Sequence, residues 1–279
     1  MRDRSRYMNR IFTCPVCGEL LSFETTRCLC PHGHSFDRGA RGYVNLLPPS
    51  HRGDHGDNKQ MIAARRTFLD GGWYAPLLAA ATEICRPLSG VGIILDTGCG
   101  EGYYTDGFLS AFPAAEGYGI DISKDALRFA GVRKSVAEGR LTLAAASVYR
   151  MPVAEGTVDL VLDFFSPLTT GEFSRVLKKD GYFLYAIPGP RHLFGLKEVL
   201  YDTPYENKTA DTALDGFRLL CERSVEDTIR LTDPLQIRSL FMMTPYAYRT
   251  GARGRERLEN LPELVTPVSF RLMLYQKEG

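Results

Sequence analysis

A glycine-rich stretch that follows an acidic residue is the part of the sequence best suited to bind a small ligand. Asp96 ends an apolar run and is followed by Gly98, Gly100 and Gly102. Such a run is typical of a buried strand, and glycines let the backbone turn tightly and approach a ligand without a β-carbon in the way. Residues 103–112 then have a helical pattern. Strand, glycine loop and helix form the opening unit of a nucleotide-binding α/β fold.

The glycine spacing indicates which ligand this loop binds. A dinucleotide site has G-x-G-x-x-G, which places a pyrophosphate on the helix N-terminus, whereas this loop has G-x-G-x-G. S-adenosylmethionine (SAM) has no phosphate, and a carboxylate at Asp96 suits the ammonium of its amino-acid tail, directly or through water. Asp121 ends a second apolar run, where it can accept both ribose hydroxyls. A glycine triplet alone would also fit a simple turn, but the two acids favour a SAM site.

Cysteines and histidines are concentrated near the N-terminus, within residues 14–34. The set comprises Cys14, Cys17, Cys28, Cys30, His32 and His34. A Cys-x2-Cys pair followed closely by Cys and His is zinc-ligand spacing, because a tight turn directs two thiolates at one tetrahedral centre. The alternative is a group of free cysteines packed in a small core.

The second pair of ligands can be chosen in two ways, Cys28 with His32 or Cys30 with His34, because both pairs have the spacing Cys-x3-His. We favour Cys14, Cys17, Cys30 and His34, because Pro31 after Cys30 repeats the position of Pro15 after Cys14. Four protein ligands leave no open position for chemistry, so the predicted zinc ion is structural.

Charge is unevenly distributed along the 279 residues, although the net charge is only +1. Residues 1–66 carry 11 Lys+Arg and 6 Asp+Glu, a balance of +5, and the rest of the chain balances at −4. This asymmetry indicates an anionic partner for the N-terminal part, with a solvated basic face as the alternative.

The composition also limits the cellular location. The charged start of the chain lacks the apolar core of a signal peptide, and no apolar run approaches the ~18 residues that span a bilayer. We therefore expect a cytoplasmic protein that does not enter a membrane and whose cysteines are reduced. The predicted domains are a zinc-binding domain at residues 1–49, a linker at 50–58 and a catalytic domain at 59–279.

The elements that position these residues alternate between strand and helix. Helices are predicted at residues 59–69, 74–88, 103–112, 123–132, 171–177, 190–201 and 233–243, and strands at 91–95, 117–121, 141–146, 158–165, 182–187 and 265–275. A turn is predicted at residues 178–181. In the first helix Arg65 and Arg66 lie among apolar residues, so at least one should face solvent or phosphate.

Alternation of this kind implies a parallel, doubly wound sheet, in which ligands bind at the carboxyl ends of the strands. That rule brings Asp96, Asp121, Ser147, Asp163 and His192 to one rim. Asp163 is a candidate base, or it only orders a loop. His192 either contacts a ligand or is structural.

The end of the fourth core strand, Asp163-Phe164-Phe165-Ser166-Pro167, indicates the methyl acceptor. This sequence is neither Asn-Pro-Pro-Tyr, the motif that holds the amino group of adenine for methylation, nor Pro-Cys, whose cysteine attacks a pyrimidine carbon. We therefore expect an acceptor other than an adenine amine or a cytosine carbon. Phe164 and Phe165 could stack on a planar base, or could simply end a buried strand.

Several motifs together resemble one known family. They are the Cys-x2-Cys…Cys-x3-His-x-Phe-Asp knuckle, Gly-Tyr-Val-Asn-Leu-Leu at 42–47, Ala-Arg-Arg-x-Phe-Leu-Asp at 64–70, the loop from Asp96 to Thr105 and Pro-Gly-Pro-Arg-His-Leu at 188–193. This combination is similar to the bacterial 23S rRNA guanine-N1 methyltransferases of the RlmA family.

The resemblance implies a Rossmann-like class I SAM-dependent methyltransferase with a small N-terminal zinc domain that grips an rRNA hairpin, in a homodimer. It implies the zinc ligands already favoured, and donor contacts at Tyr74, Tyr104, Thr105 and His192. The implied reaction is methyl transfer to N1 of a guanine in a 23S rRNA hairpin loop. The alternative is a methyltransferase for a small molecule, against which the zinc knuckle and the basic N-terminal third argue.

Overall fold

The computed structural model describes residues 9–48, 58–209 and 211–279, and two β-sheets lie within them. The smaller sheet consists of β1 (Ser22–Phe23), β2 (Arg27–Leu29) and β3 (Ser35–Asp37). The larger sheet consists of β4 (Val44–Asn45), β5 (Ile93–Thr97), β6 (Glu116–Asp121), β7 (Leu141–Ala145), β8 (Val158–Phe164), β9 (Leu177–Pro188), β10 (Phe217–Leu231) and β11 (Leu264–Lys277).

Helices connect most of these strands. They are α1 (Lys59–Asp70), α2 (Ala75–Cys85), α3 (Tyr103–Ala111), α4 (Lys124–Ala130), α5 (Lys134–Ala137), α6 (Thr170–Val176), α7 (Phe194–Leu200), α8 (Pro234–Met242), α9 (Tyr246–Arg249) and α10 (Ala252–Glu259). Asn58 caps α1 and Ser123 caps α4, because their side-chain oxygens accept hydrogen bonds from backbone N–H groups in the first turn of each helix.

The large sheet has the strand order β10-β11-β9-β8-β5-β6-β7-β4. Strands β4 to β9 run parallel, and β11 and β10 add an antiparallel hairpin at one end. The predicted parallel sheet is thus extended into a mixed one. Strand β5 lies between β6 and β8, so the connections of the chain proceed in opposite directions from it along the sheet. Ligands bind at such a switch point, beyond the carboxyl ends of the strands.

Apolar side chains of β5 pack against both layers of the molecule. Ile94 lies in one buried cluster with Phe68 and Phe108 from the helices. Leu95 lies in the opposite cluster with Phe12 from the N-terminal segment. Because both faces of β5 are covered, its sequence is a continuous apolar run rather than an alternating one.

The N-terminal segment packs directly on the large sheet. Val44 and Asn45 form a parallel edge strand beside β7, and the ring of Phe12 meets that of Tyr118 edge-on at 5.3 Å. Residues of the predicted zinc domain therefore belong to the core of the large sheet. The predicted linker at 50–58 lies outside the described residues except for Asn58, which caps α1.

Several elements differ from the sequence-based predictions, among them α5, α9 and α10, which were not predicted. Residues 178–181, predicted as a turn, lie inside β9 as a bulge at which Asp180 has φ of 60°. Helix α7 begins at Phe194 rather than at residue 190. The long strand β10 was not predicted. Among the described residues, no helix combines the length and apolarity needed to cross a bilayer.

Candidate functional site

The glycine loop lies between β5 and α3, and all three of its glycines adopt left-handed backbone conformations. The φ angles are 83° at Gly98, 55° at Gly100 and 83° at Gly102. A β-carbon on Gly98 would lie 2.5 Å from Oγ of Ser166, and one on Gly102 would lie 3.2 Å from Ala130. Both conformation and space therefore require glycine at these positions.

Asp96 lies in the buried end of β5, directly before this loop. Oγ1 of Thr105 donates a hydrogen bond of 2.5 Å to Oδ2 of Asp96. Burial raises the pKa of Asp96 to about 7, and nearby Asp121 adds to the shift while Thr105 opposes it. A cationic ligand group beside this carboxyl would favour its ionised form.

Asp121 ends β6 and holds the loop in place. Its Oδ2 accepts a 2.8 Å hydrogen bond from the backbone N–H of Gly100, and its Oδ1 accepts one of 2.7 Å from Ser123. The carboxylate is half-buried and lies at the carboxyl end of β6, the strand beside β5. It can accept further hydrogen bonds from ligand hydroxyls there.

Tyr74 and His192 form a buried pair at the rim. The Tyr74 hydroxyl and Nε2 of His192 lie 3.1 Å apart, and Nδ1 of His192 accepts a 3.3 Å hydrogen bond from the backbone N–H of Ser269. The ring proton is accordingly assigned to Nε2, which donates to Tyr74. Burial lowers the pKa of His192 to about 3, so the imidazole is neutral.

Three aromatic residues line the other side of the loop. Tyr104 stacks on Phe164 with ring centroids 4.0 Å apart, and the Tyr104 hydroxyl is buried with no hydrogen-bond partner among the described residues. Phe164 is buried, whereas Phe165 is 41% exposed and has φ of 63°. Of the two phenylalanines, Phe164 ends the core strand and Phe165 is available for stacking.

Asp163 is enclosed at the end of β8. Its Oδ1 accepts a 2.9 Å hydrogen bond from the backbone N–H of Ser166, and Oδ2 has no partner in the described part of the chain. Burial raises the pKa of Asp163 well above the usual value, and Asp96 raises it further. A carboxyl that is enclosed, and whose protonated form is favoured by burial, does not match the requirements of a base that must reach an acceptor.

The structure thus brings most of the residues proposed from the sequence to the glycine loop and its acids. Ser147, two residues beyond the end of β7, is half-buried, and its Oγ accepts a weak 3.3 Å hydrogen bond from the backbone N–H of Tyr149. Ser166 and Ser269, which also shape the site, were not proposed. No sequence signal marks them, because their roles arise from contacts with Gly98 and His192 that are distant in the chain.

The N-terminal cysteines and histidine form a second site. The ligand atoms of Cys14, Cys17, Cys30 and His34 all lie within 4.8 Å of one another. Sγ of Cys17 lies 3.6 Å from Sγ of Cys30, and Nδ1 of His34 lies 3.6 Å from Sγ of Cys14 and 3.2 Å from Sγ of Cys30. Zinc–ligand bonds of about 2.3 Å to sulfur and about 2.0 Å to nitrogen give tetrahedral edges of roughly these lengths.

Two similar turns deliver these ligands. Gly18 donates to the carbonyl of Cys14 and Gly33 to that of Cys30, and both glycines have positive φ. Cys28 is buried on β2 outside the cluster, where burial raises its pKa to about 12, and His32 is exposed. The geometry therefore favours the register predicted from the repeated prolines.

The site around the glycine loop fits SAM. At Gly100 a β-carbon would meet no atom nearer than Nη1 of Arg65 at 3.9 Å, so the backbone there is open to a ligand. Asp96 and Asp121 stand near the ends of the adjacent strands β5 and β6. The buried hydroxyls of Tyr104 and Ser166 lack partners within the described ranges. Such polar atoms normally have a partner, which a bound ligand can supply.

Comparison with known proteins agrees with both sites. A family profile described as "RlmA, N-terminal" matches residues 12–54, and a methyltransferase-domain profile matches residues 94–181. A protein of Micromonospora griseorubida, provisionally named a 23S rRNA (guanine-N1)-methyltransferase, is 35% identical over 94% of this chain and 96% of its own length. The chain belongs to the 23S rRNA (guanine-N1)-methyltransferase family.

Two further relatives also match this chain over nearly its whole length. A protein of Bacillus subtilis strain 168, with the same provisional name, is 33% identical over 91% of this chain and 92% of its own. The 23S rRNA (guanine(748)-N1)-methyltransferase of Streptomyces fradiae is 32% identical over 94% and 95%. As a member of this methyltransferase family, the protein uses SAM and has a structural zinc ion in its N-terminal ribbon.

Proposed function

We propose that this enzyme transfers a methyl group from SAM to N1 of a guanine in a hairpin loop of 23S rRNA. The observation that carries the proposal is that relatives named for guanine-N1 methylation of 23S rRNA match more than nine-tenths of the chain, including the zinc segment. A small-molecule methyltransferase would not need this segment or its basic character.

We assign the donor-binding roles to the residues around the glycine loop. Asp96 binds the ammonium of the SAM tail, and Asp121 binds the ribose hydroxyls. Tyr74, Tyr104, Thr105, Ser147 and His192 complete the donor site. Supporting this assignment, Thr105 is bonded to Asp96, and Tyr74 is bonded to His192.

The reaction depends mainly on positioning. SAM supplies an electrophilic methyl group on a sulfonium, and the acceptor must approach nearly in line with the bond that breaks. We propose that Phe165 provides the surface on which the guanine stacks, because its ring is exposed beside Tyr104 at a centroid distance of 6.2 Å. Stacking would hold the guanine ring flat beside the donor site.

Guanine N1 carries a hydrogen that must leave before or during attack. Asp163 is poorly suited to accept it, because its carboxyl is buried and its pKa is raised by that burial. A hydrogen bond that stabilises the enolate form of guanine is the other way to make N1 nucleophilic. Asp163 therefore enters the proposal as a residue that orders the loop through Ser166 rather than as the base.

Mapping of methylated guanines in rRNA tests the proposal. Reverse transcription and mass spectrometry of 23S rRNA from cells with and without the gene should show an N1-methylguanine that depends on the protein. Position 748, named for the Streptomyces fradiae relative, is the first to examine. Complementation with Asp96→Ala should not restore the modification, and identical methylation in both strains would refute the proposal.

The family resemblance also implies a homodimer, and the sequence pattern implies a cytoplasmic location; we include both in the proposal. Light scattering of the purified protein, alone and with the RNA hairpin, measures the oligomeric state. A monomer under both conditions would remove the dimer from the proposal without affecting the reaction.

A further inference from the structure

Helix α1 places Arg65 beside the glycine loop. A β-carbon on Gly100 would lie 3.9 Å from Nη1 of Arg65. Nη2 of Arg65 donates a 3.3 Å hydrogen bond to the carbonyl of Met243, after α8, which helps to fix the orientation of the guanidinium. The side chain is half-buried, so its charge acts in a medium of lower dielectric than water.

The charge of Arg65 also acts on two tyrosines of the proposed donor site. Burial raises the pKa values of Tyr74 and Tyr104, and the positive charge of Arg65 opposes the shift at both hydroxyls. Tyr74 comes from the start of α2 and Tyr104 from α3. Arg65 therefore lies close to residues on two different walls of the proposed donor site.

Neighbouring arginines have different surroundings. Arg66 pairs with Asp70 at 3.3 Å and donates to the carbonyl of Phe129. Arg133 pairs with Asp70 and with Glu101. These two arginines are thus oriented by acidic side chains, and their positions differ from that of Arg65 beside Gly100.

The methionine end of SAM carries two opposite charges, an ammonium and a carboxylate. In the proposed site Asp96 meets the ammonium, which leaves the carboxylate in need of a cation in the same part of the pocket. A guanidinium suits this role, because it can bind a carboxylate through two parallel hydrogen bonds.

We propose that Arg65 binds the carboxylate of the SAM amino-acid tail, so that the site selects donors with an intact amino-acid end. The inference depends on SAM as the cofactor and on the site around the glycine loop. It does not depend on the identity of the methyl acceptor. No step of methyl transfer is assigned to Arg65.

Calorimetry with two ligands tests the proposal on the full-length, zinc-loaded protein. The ligands are SAM and decarboxylated SAM, which keeps the sulfonium and the ammonium but lacks the carboxylate. Wild-type protein should bind SAM about 10- to 100-fold more tightly than decarboxylated SAM, the range expected for hydrogen bonds to a charged group. Arg65→Gln should lose most of this preference by weakening SAM binding alone.

Two further variants complete the experiment. Arg65→Lys keeps the charge and should retain part of the preference. Arg66→Gln is the matched control, which should discriminate between the ligands as wild type does, because Arg66 faces Asp70 instead.

Three outcomes would overturn the proposal. One is equal affinity of wild type for both ligands, which does not require any variant to fold. Another is an equal loss of affinity for both ligands in Arg65→Gln, which indicates a structural role. A wild-type protein that binds neither ligand would overturn the SAM site itself together with this inference.

Discussion

Asp96 has its pKa raised to about 7 by burial, so its charge state changes near neutral pH. The proposed contact with the SAM ammonium requires the ionised carboxylate. We expect SAM affinity to fall about tenfold for each pH unit below about 7, since one proton must leave on binding. Calorimetry between about pH 5.5 and pH 7 measures this slope, and a flat profile would contradict the role of Asp96.

The same carboxyl affects the stability of the SAM-free protein in the opposite direction. The pKa of Asp96 is higher in the folded protein than the usual 3.8, so the folded state binds more protons in this interval. The contribution of Asp96 to stability therefore decreases as the pH rises from about 4 to about 7. Above that interval, Asp96→Asn removes the cost of a buried charge.

This cost leads to a prediction about Asp96→Asn. We expect a higher melting temperature than wild type at about pH 8 without ligand, by about 2–4 °C for each kcal/mol gained. The same variant should bind SAM more weakly. Thermal unfolding with and without SAM checks both effects, and a lower melting temperature without ligand would show that burial does not govern this group.

Asp163 leads to a different prediction, because burial raises the pKa of its carboxyl and so favours the protonated form. Asn in its place has nearly the same shape, and its Oδ1 can still accept the N–H of Ser166. We expect Asp163→Asn to retain methyl transfer to within a few-fold of wild type, since general-base catalysis contributes typically about 10²–10⁴-fold. A loss in that range, measured as single-turnover transfer to rRNA, would restore Asp163 as the base.

At the scale of elements, the glycine loop depends on both backbone conformation and close packing. Gly98→Ala combines a positive φ with a contact of 2.5 Å to Ser166. Gly156, in the turn before β8, has φ of 64° and open space around its Cα, so Gly156→Ala isolates the backbone cost. That cost is about 1–2 kcal/mol.

We expect Gly156→Ala to lower the free energy of unfolding by this amount while SAM binding is unchanged. Gly98→Ala should lose more stability and weaken SAM binding at least about tenfold, since the loop must shift away from Ser166. Urea unfolding and calorimetry on the two variants provide the comparison. Equal behaviour of the two would mean that the contact with Ser166 is unimportant.

At the scale of the whole molecule, the zinc segment and the large sheet share one core. Cys17→Ser should lose the metal and unfold the small sheet β1–β3 around it, because a segment this short needs the ion for its stability. The glycine loop belongs to the central strands, so SAM binding should survive. Zinc content, measured by mass spectrometry, and SAM calorimetry test these two parts separately.

Cys28→Ala is the matched control for this experiment. Cys28 lies two residues before the ligand Cys30 in the sequence, but its side chain is buried outside the cluster. The Cys28→Ala variant should therefore keep its zinc. Unchanged zinc content in Cys17→Ser, or loss of zinc in Cys28→Ala, would refute the ligand assignment.

Local spacing by itself determined the parts of this protein that depend on neighbours in the chain. The glycine loop with Asp96, the zinc ligands and the core strands could all be predicted, because backbone turns and apolar runs act over a few residues. Strand β10 was missed, since its fifteen residues are mostly exposed and show no regular alternation of buried and exposed side chains.

Only the tertiary structure decided the environment of each functional group. Tyr74 and His192 are 118 positions apart and meet because both rings pack against Phe270 of β11. The placement of Arg65 beside Gly100, the raised pKa of Asp163 and the joining of β4 to the large sheet also follow from such contacts. Burial and charge depend on which distant segments come together, and a linear spacing of residues does not contain that information.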